Sequence, residues 1–275
     1  MTGRYLPRVD TRATVHSLCL LAGLLLAAMP ALAADEPCKQ LLISGNPEYP
    51  PYLWRDPADE SRLIGANAEM MQLLSKEIGV PVSVKYAGPW GRVQEETRHG
   101  KVDMIAGAFF TLPRLEYMDY FQPPIATTRT VIWTQDTKGI KYRKWSDLSR
   151  LKGITVINNS FGEAFDTYAK KHLDIYKVAS VESALKMLGL GRADYVIYEE
   201  APGLAYAAKL GVRGLKAATV PITNEDLFLT LSHKSVCNTG EMRGRIARAM
   251  HKLAQDKVME ELLARNIQLW RKQAD

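Results

Sequence analysis

Residues 41–107 read LLISGNPEYPPYLWRDPADESRLIGANAEMMQLLSKEIGVPVSVKYAGPWGRVQEETRHGKVDMIAG. Leu41–Ser44 is a short apolar run with the length of a buried strand. From Asn67 to Ile78, Met70, Met71, Leu74 and Ile78 fall on one helical face, and Gly79 closes the segment. Val82–Tyr86 alternates as a strand does. Val93 to His99 reads as a helix ended by Gly100, and Val102–Ala106 as a further strand. Strand, helix, strand, helix, strand in this order predicts an α/β chain with a parallel sheet flanked by helices.

The pattern then restarts. Thr130–Trp133 and Ile154–Ile157 read as strands, and Glu163 to His172 as a helix. Val181, Ala184, Leu185 and Leu188 keep the i, i+3, i+4, i+7 spacing of a helix face, with Ser180 placed to cap it. Tyr195–Tyr198 is a strand and Ala201 to Leu210 a helix. The strand Leu227–Leu231 and two helices, on Met242 to Leu253 and on Met259 to Leu263, complete the chain. These last elements return to the first βα run. That leaves two strands crossing between the runs, near Ala126–Thr128 and Thr223–Asp226. Open α/β sheets bind ligands beyond the carboxyl ends of their strands, so two facing sheets enclose a cleft.

Ahead of this fold, Arg4, Arg8 and Arg12 precede an apolar run from Leu18 to Ala28, which ends at Ala31-Leu32-Ala33. A positive start, a short apolar core and small residues at the cut site make a secretory signal peptide over residues 1–33. The run is shorter than the roughly 20 residues a membrane span needs. Cys19 stands at its beginning rather than just after it, which argues against lipidation. Cleavage after Ala33 of the 275 residues leaves 242. The leader carries three Arg against one Asp, so the net +6 falls to about +4. Basic residues are spread along the chain, an ordinary solvated surface without a nucleic-acid footprint. Cys38 and Cys237 survive cleavage, and an oxidising compartment favours a bridge between them.

Several strings occur in the order and spacing of one family. They are Gly45-Asn46-Pro47-Glu48-Tyr49-Pro50-Pro51-Tyr52, Leu63-Ile64-Gly65, Trp90, Gly100-Lys101-Val102-Asp103-Met104-Ile105-Ala106-Gly107 and, seven residues on, Arg114. Trp145-Ser146-Asp147-Leu148, Leu151-Lys152-Gly153-Ile154 and Gly191-Arg192-Ala193-Asp194-Tyr195-Val196-Ile197 follow. The chain resembles the periplasmic amino-acid-binding proteins of ABC importers, extracellular solute-binding family 3, over nearly all of its mature length. The resemblance implies a two-lobed periplasmic-binding-protein fold of type II. Each lobe is a mostly parallel sheet flanked by helices, and two hinge strands join them. Lobe 1 is expected over residues 34–128 and 226–275, lobe 2 over 129–225. The expected partners are a small carboxylate ligand and the membrane permease of an importer, or else a membrane sensor. The protein is expected to be a monomer without a cofactor or metal.

Arg114 matches the family arginine that holds a ligand α-carboxylate, for which a planar guanidinium suits both oxygens. A surface arginine paired to Glu116 is the plainer reading. Glu199 stands where a family acid holds the α-ammonium, one methylene longer than the usual Asp. Adjacent Glu200 competes for the role, and both acids suit the start of the following helix. Tyr49 and Trp90 match positions where rings sandwich the ligand side chain, with core packing the alternative. Trp90, between Pro89 and Gly91, is expected on a loop. Gly107 belongs to the matched strand-end turn. Ser160 and Phe161 lie at a strand-to-helix turn that touches the ligand carboxylate in the family, Ser160 also serving as a helix cap candidate.

Two positions depart from the pattern. Phe109 replaces a small hydroxyl residue, losing one hydrogen bond to the carboxylate and adding bulk. Asn46 stands where relatives that select cationic side chains carry an acid. A ring-lined, less acidic pocket is therefore expected. A rival reading is a cyclohexadienyl-dehydratase-like enzyme, with Glu163 as proton donor; shared fold does not fix function. The chain has no His-Glu-x-x-His, no phosphate-loop Gly-Lys-Ser/Thr and no Gly-x-Ser-x-Gly turn.

Overall fold

In the computed structural model, residues 1–3 and 38–274 are described. The apolar run and the Ala31-Leu32-Ala33 site of the expected leader lie outside the described residues.

The first βα run forms as its periodicity predicts. Strand β1 is Leu41–Ser44, and helix α1 is Ala66–Ile78 with Met70, Met71, Leu74 and Ile78 buried. Gly79 ends α1 in the left-handed region at φ 70°, its N–H bonded to the Ser75 carbonyl. Between them, β2 (Glu48–Tyr49), β3 (Leu53–Arg55) and β4 (Leu63–Ile64) make a small antiparallel sheet. No pattern in the sequence announced it, because two- and three-residue strands are too short to show alternation.

Strand β5 is Val82–Val84, helix α2 Trp90–Arg98, strand β6 Met104–Phe109 and the single turn α3 Leu112–Leu115. The expected loop position of Trp90 is corrected: it is the first residue of α2. Pro89 supplies the cap position, and its carbonyl accepts from the N–H groups of both Arg92 and Val93. Proline cannot donate but is well placed just before a helix, so the helix starts one turn earlier than the apolar period suggests.

The second run contains β7 (Met118–Gln135), β8 (Lys152–Val156), α4 (Glu163–His172), β9 (Asp174–Val178), α5 (Val181–Gly189), β10 (Tyr195–Glu199), α6 (Glu200–Lys209) and β11 (Leu215–Ala217). In α5, Val181, Ala184, Leu185 and Leu188 are buried and Ser180 accepts from the Ser183 N–H. Burying four such side chains favours the helix by about 1.5–3 kcal/mol for each larger one, before ordering costs. Then β12 (Thr223–Ser232), α7 (Gly240–Gln255) and α8 (Val258–Ala274) close the chain.

The other strands form one hydrogen-bonded path, β5-β1-β6-β12-β7-β10-β8-β9, with β11 paired to β7. Pairing is parallel in β5-β1-β6 and again in β10-β8-β9. Between these sets, the 18-residue β7 and the 10-residue β12 run antiparallel. Each borders one set and pairs with the other long strand. Leu227–Leu231 of β12 pairs with β6, while Thr130–Trp133 of β7 pairs with β10. The crossing pairs Thr127 with Asp226 and Thr128 with Glu225, where the sequence places its two crossing strands. Two parallel strand sets flanked by helices and joined by two long strands make the expected two-lobed α/β architecture.

Cys38 and Cys237 are bridged, with S–S 1.97 Å and Cα–Cα 4.8 Å. The bridge ties the residues ahead of β1 to those after β12, strands that share one sheet through β6. A different tie links Trp270 of α8 to both runs. Its ring meets Trp54 edge-on at 5.5 Å and Tyr206 of α6 at 5.5 Å, and its Nε1 donates to the Ala205 carbonyl.

Candidate ligand-binding site

Strand ends and helix starts from both runs converge on a small cavity, partly open to solvent. It is lined by Asn46 and Tyr49 after β1, Trp90 at the start of α2, Gly107, Ala108 and Phe109 on β6, and Arg114 on α3. The second run adds Asn159, Ser160 and Glu199, and β12 adds Leu227. All the residues expected from the sequence line it except Phe161. That side chain packs against Phe165 in the core, and its N–H donates to Asp166. The apolar ring takes the buried direction at the turn, so Phe161 has no face on the cavity. Gly107 sits at φ 117°, where a Cβ would come within 3.0 Å of Asn67 Nδ2 and Leu227 Cδ2. Only glycine lets the strand end this close to its neighbours.

Arg114 is 5 % exposed. Its Nη1 donates to the Phe109 carbonyl at 2.9 Å, its Nε to Gln94 Oε1 at 3.3 Å and its Nη2 to the Asn158 carbonyl at 3.4 Å. Its guanidinium carbon lies 5.2 Å from the centre of the Trp90 ring. All these partners are neutral. Among the described residues, no carboxylate comes within 4.0 Å of the guanidinium. The surface pairing with Glu116 does not form; that acid reaches Arg98 instead. A buried cation without a counter-charge is costly unless an anion joins it.

Glu199 is the opposite case. It is 3 % exposed, at the end of β10, and its Oε2 has no hydrogen-bond partner among the described residues. Burial pushes its carboxyl up from 4.5 to about 7, opposed by a backbone hydrogen bond, the nearby Tyr49 hydroxyl and the Arg114 charge. Of the two adjacent acids, Glu199 lines the cavity and Glu200 does not. Glu200 turns away and pairs with Arg129 at 2.7 Å. The difference follows from the strand: Glu199 is its last residue, side chain inward, while Glu200 begins α6.

The second run brings further polar groups. Ser160 is not a helix cap; the cap position of α4 is Gly162, and the Ser160 hydroxyl donates to Asp166. Burial raises the Asp166 carboxyl above its usual range. Tyr198 Oη donates to the Glu48 carbonyl at 2.8 Å and accepts from Asn46 Nδ2 at 3.4 Å. Glu48 Oε2 accepts from the Val181 N–H at 3.1 Å, and burial pushes Glu48 up to about 7. Glu163 is exposed on the first turn of α4 and does not line the cavity. Leu227, Gln94, Asn158 and Tyr198 were missed in the sequence. Each lies in a run whose pattern reports only burial, and which buried groups meet is set by the sheet order.

The model of the bacterial extracellular solute-binding proteins, family 3, matches residues 41–268. The chain belongs to this family. The relatives of this solute-binding protein differ widely from it in sequence. It is 23 % identical over 190 residues to the arginine-binding periplasmic protein of Mannheimia haemolytica, covering 69 % of this chain and 74 % of the relative. An amino acid ABC transporter substrate-binding protein from Streptococcus pneumoniae, solved with L-arginine, superposes with TM-score 0.69 at 17 % identity, over 84 % of this chain and 96 % of that one. A histidine kinase sensor domain with similarity to periplasmic binding proteins superposes with TM-score 0.71 at 19 % identity, over 82 % and 95 %. These superpositions establish the fold. No described helix of the solute-binding protein is long and apolar enough to cross a membrane.

Proposed function

We propose that this solute-binding protein captures a free α-amino acid, as its zwitterion, in the cavity between two lobes. The observation that carries the reading is a buried cation and a buried acid on one small cavity, both short of partners: Arg114 without a carboxylate and Glu199 with an orphan oxygen. A ligand carboxylate on Arg114 and a ligand ammonium on Glu199 relieve both deficits at once. Tyr49, Trp90, Phe109 and Leu227 then surround its side chain, with Asn46, Gly107 and Ser160 completing the wall. One relative is named for arginine, and a solved structure of the same fold holds L-arginine. Here Glu199 is the one carboxylate among the lining residues, which supports a ligand carrying a single ammonium.

The lobes in this reading are residues 34–128 with 226–275, and 129–225, hinged where Thr127 and Thr128 pair with Asp226 and Glu225. Ligand contacts from both lobes exist together only when the cleft is shut, so binding shifts the population toward closure. The leader over 1–33 directs the chain to the periplasm, where the closed monomer delivers its ligand to the permease of an ABC importer. Delivery to a membrane sensor is a second reading, favoured by the likeness to a kinase sensor domain. The dehydratase reading has its proton-donor candidate, Glu163, exposed and outside the cavity lining. The test is thermal shift on refolded, ligand-free protein with amino acids, polyamines, organic acids and prephenate-like compounds. Saturating amino acid at about 100 times its Kd adds about 2.7 kcal/mol of stability. A flat response to every amino acid rejects the proposal.

A further inference from the structure

Gln94 lies on the buried face of α2 with Trp90, Val93 and Thr97. Its carboxamide stands between two groups that come from separate runs of the chain. Oε1 accepts from Arg114 Nε at 3.3 Å, and Nε2 donates to the Asn158 carbonyl at 3.2 Å. The same carbonyl receives Arg114 Nη2 at 3.4 Å. Gln94, Arg114 and Asn158 thus form a closed triangle beside the cavity. Two corners precede β7, and the third follows β8.

Few side chains fit this place. It needs an acceptor on one side and a donor on the other, which a planar amide carries together. The reversed amide would set donor against donor and acceptor against acceptor, so the partners determine its orientation. Glutamate would lose the donor and pair with Arg114, consuming the charge the cavity holds open. The neighbouring backbone is shaped for the same approach. Asn158 holds φ 60°, a left-handed conformation that asparagine adopts more readily than most residues. A Cβ on Gly91 would lie 3.0 Å from Asn158 Nδ2, so the first turn of α2 is bare where Asn158 arrives.

We infer that Gln94 is a positioning residue that makes ligand capture by Arg114 and cleft closure onto Asn158 a single event. The inference rests on the reading that Arg114 receives the ligand carboxylate. Gln94 holds the guanidinium plane toward the cavity and leaves its charge unspent. When the cleft opens, Gln94 Nε2 and Arg114 Nη2 lose the Asn158 carbonyl together. Closure restores both bonds, so the side chain that orients the ligand's partner also senses the opposite lobe.

The test compares wild type with Gln94→Glu and Gln94→Leu, purified as the secreted protein and refolded free of ligand. Each of the twenty L-amino acids is titrated by calorimetry and followed by stopped flow, and the ligand-free proteins are measured by small-angle scattering. In Gln94→Glu, affinity for whichever amino acid the wild type binds should fall about tenfold or more. In Gln94→Leu, the ligand-free protein should expand in scattering, and ligand release should speed up with association little changed. A merely structural role would lower the melting temperature and leave release rate and scattering untouched. Wild-type affinity in Gln94→Glu, or wild-type release and scattering in Gln94→Leu, overturns the inference. Failure of the wild type to bind any of the twenty overturns the capture reading beneath it, and shows before any variant is measured.

Discussion

The Tyr198 hydroxyl donates to the Glu48 carbonyl at 2.8 Å, joining residues 150 apart in sequence across the cleft. Tyr198 also stands edge-on to Tyr49 at 6.4 Å, against the cavity wall. The phenol is buried, so the bond does not trade with water at the surface. Tyr198→Phe leaves the ring in place and removes the hydroxyl's two bonds, the one to the Glu48 carbonyl and the longer one from Asn46. Closed-state stability should fall by about 1–3 kcal/mol because the Glu48 carbonyl loses a partner. Ligand release measured by stopped flow should be at least several-fold faster. An unchanged release rate would mean that this bond does not hold the cleft shut.

Arg114 is the cation of the cavity, and its planar fork matters as well as its charge. Arg114→Ala should weaken amino-acid binding in calorimetry by about 100-fold or more while far-ultraviolet dichroism stays native. Arg114→Lys keeps the charge and loses the bonds that hold the group between Phe109, Gln94 and Asn158. It should recover only part of the affinity. Equal affinity in wild type and Arg114→Ala would remove Arg114 from the site.

Glu199 makes stability depend on pH. Its carboxyl is raised from 4.5 to about 7, chiefly by burial. A buried acid that keeps its proton favours the folded state fully below its unfolded value, and that advantage is lost as pH rises through the folded value. Between pH 4.5 and pH 7 this one group should therefore cost the ligand-free protein on the order of 2–3 kcal/mol. Glu48, also pushed up to about 7, acts in the same direction. Urea unfolding at pH 5 and pH 8 should show the loss, and Glu199→Gln should flatten the profile. A ligand ammonium favours ionised Glu199, so binding at pH 6 should release a proton, seen by calorimetry in buffers of different ionisation enthalpy.

The Cys38–Cys237 bridge closes a separation of 199 residues. Chain entropy alone assigns a loop of this size about 5 kcal/mol, and native proteins commonly lose 2–5 kcal/mol without such a bond. Reduction, or the double substitution to serine, should lower the unfolding free energy by about 2–5 kcal/mol. Non-reducing mass mapping should recover the linked peptide. Labelling of both thiols in the unreduced secreted protein would contradict the bridge.

Periodicity determined the elements. The apolar faces of α1 and α5, the caps at Gly79 and Ser180, and the extent of α4 were legible because burial, helical period and end chemistry act locally. So was the crossing near residues 126–128 and 223–226, since a chain with two βα runs and a returning end has to cross between them. Family-like strings supplied the expected cavity residues, and the sequence order brought most of them to the strand ends. Other features depended on distances that no local pattern encodes. The early start of α2 at Trp90, the inward turn of Phe161 and the choice of Glu199 over Glu200 each follow from which neighbour already fills the space. Whether Arg114 meets Glu116 or stays without a counter-charge is likewise a matter of what else is packed beside it. Sequence by itself determined the α/β order, the two-run division and the chemical kinds of residue available to a cleft. Only the tertiary structure decided which charges stay unpaired and which carbonyl Gln94 and Arg114 share, because a buried group's partners are set by long-range packing rather than by the residues beside it in the chain.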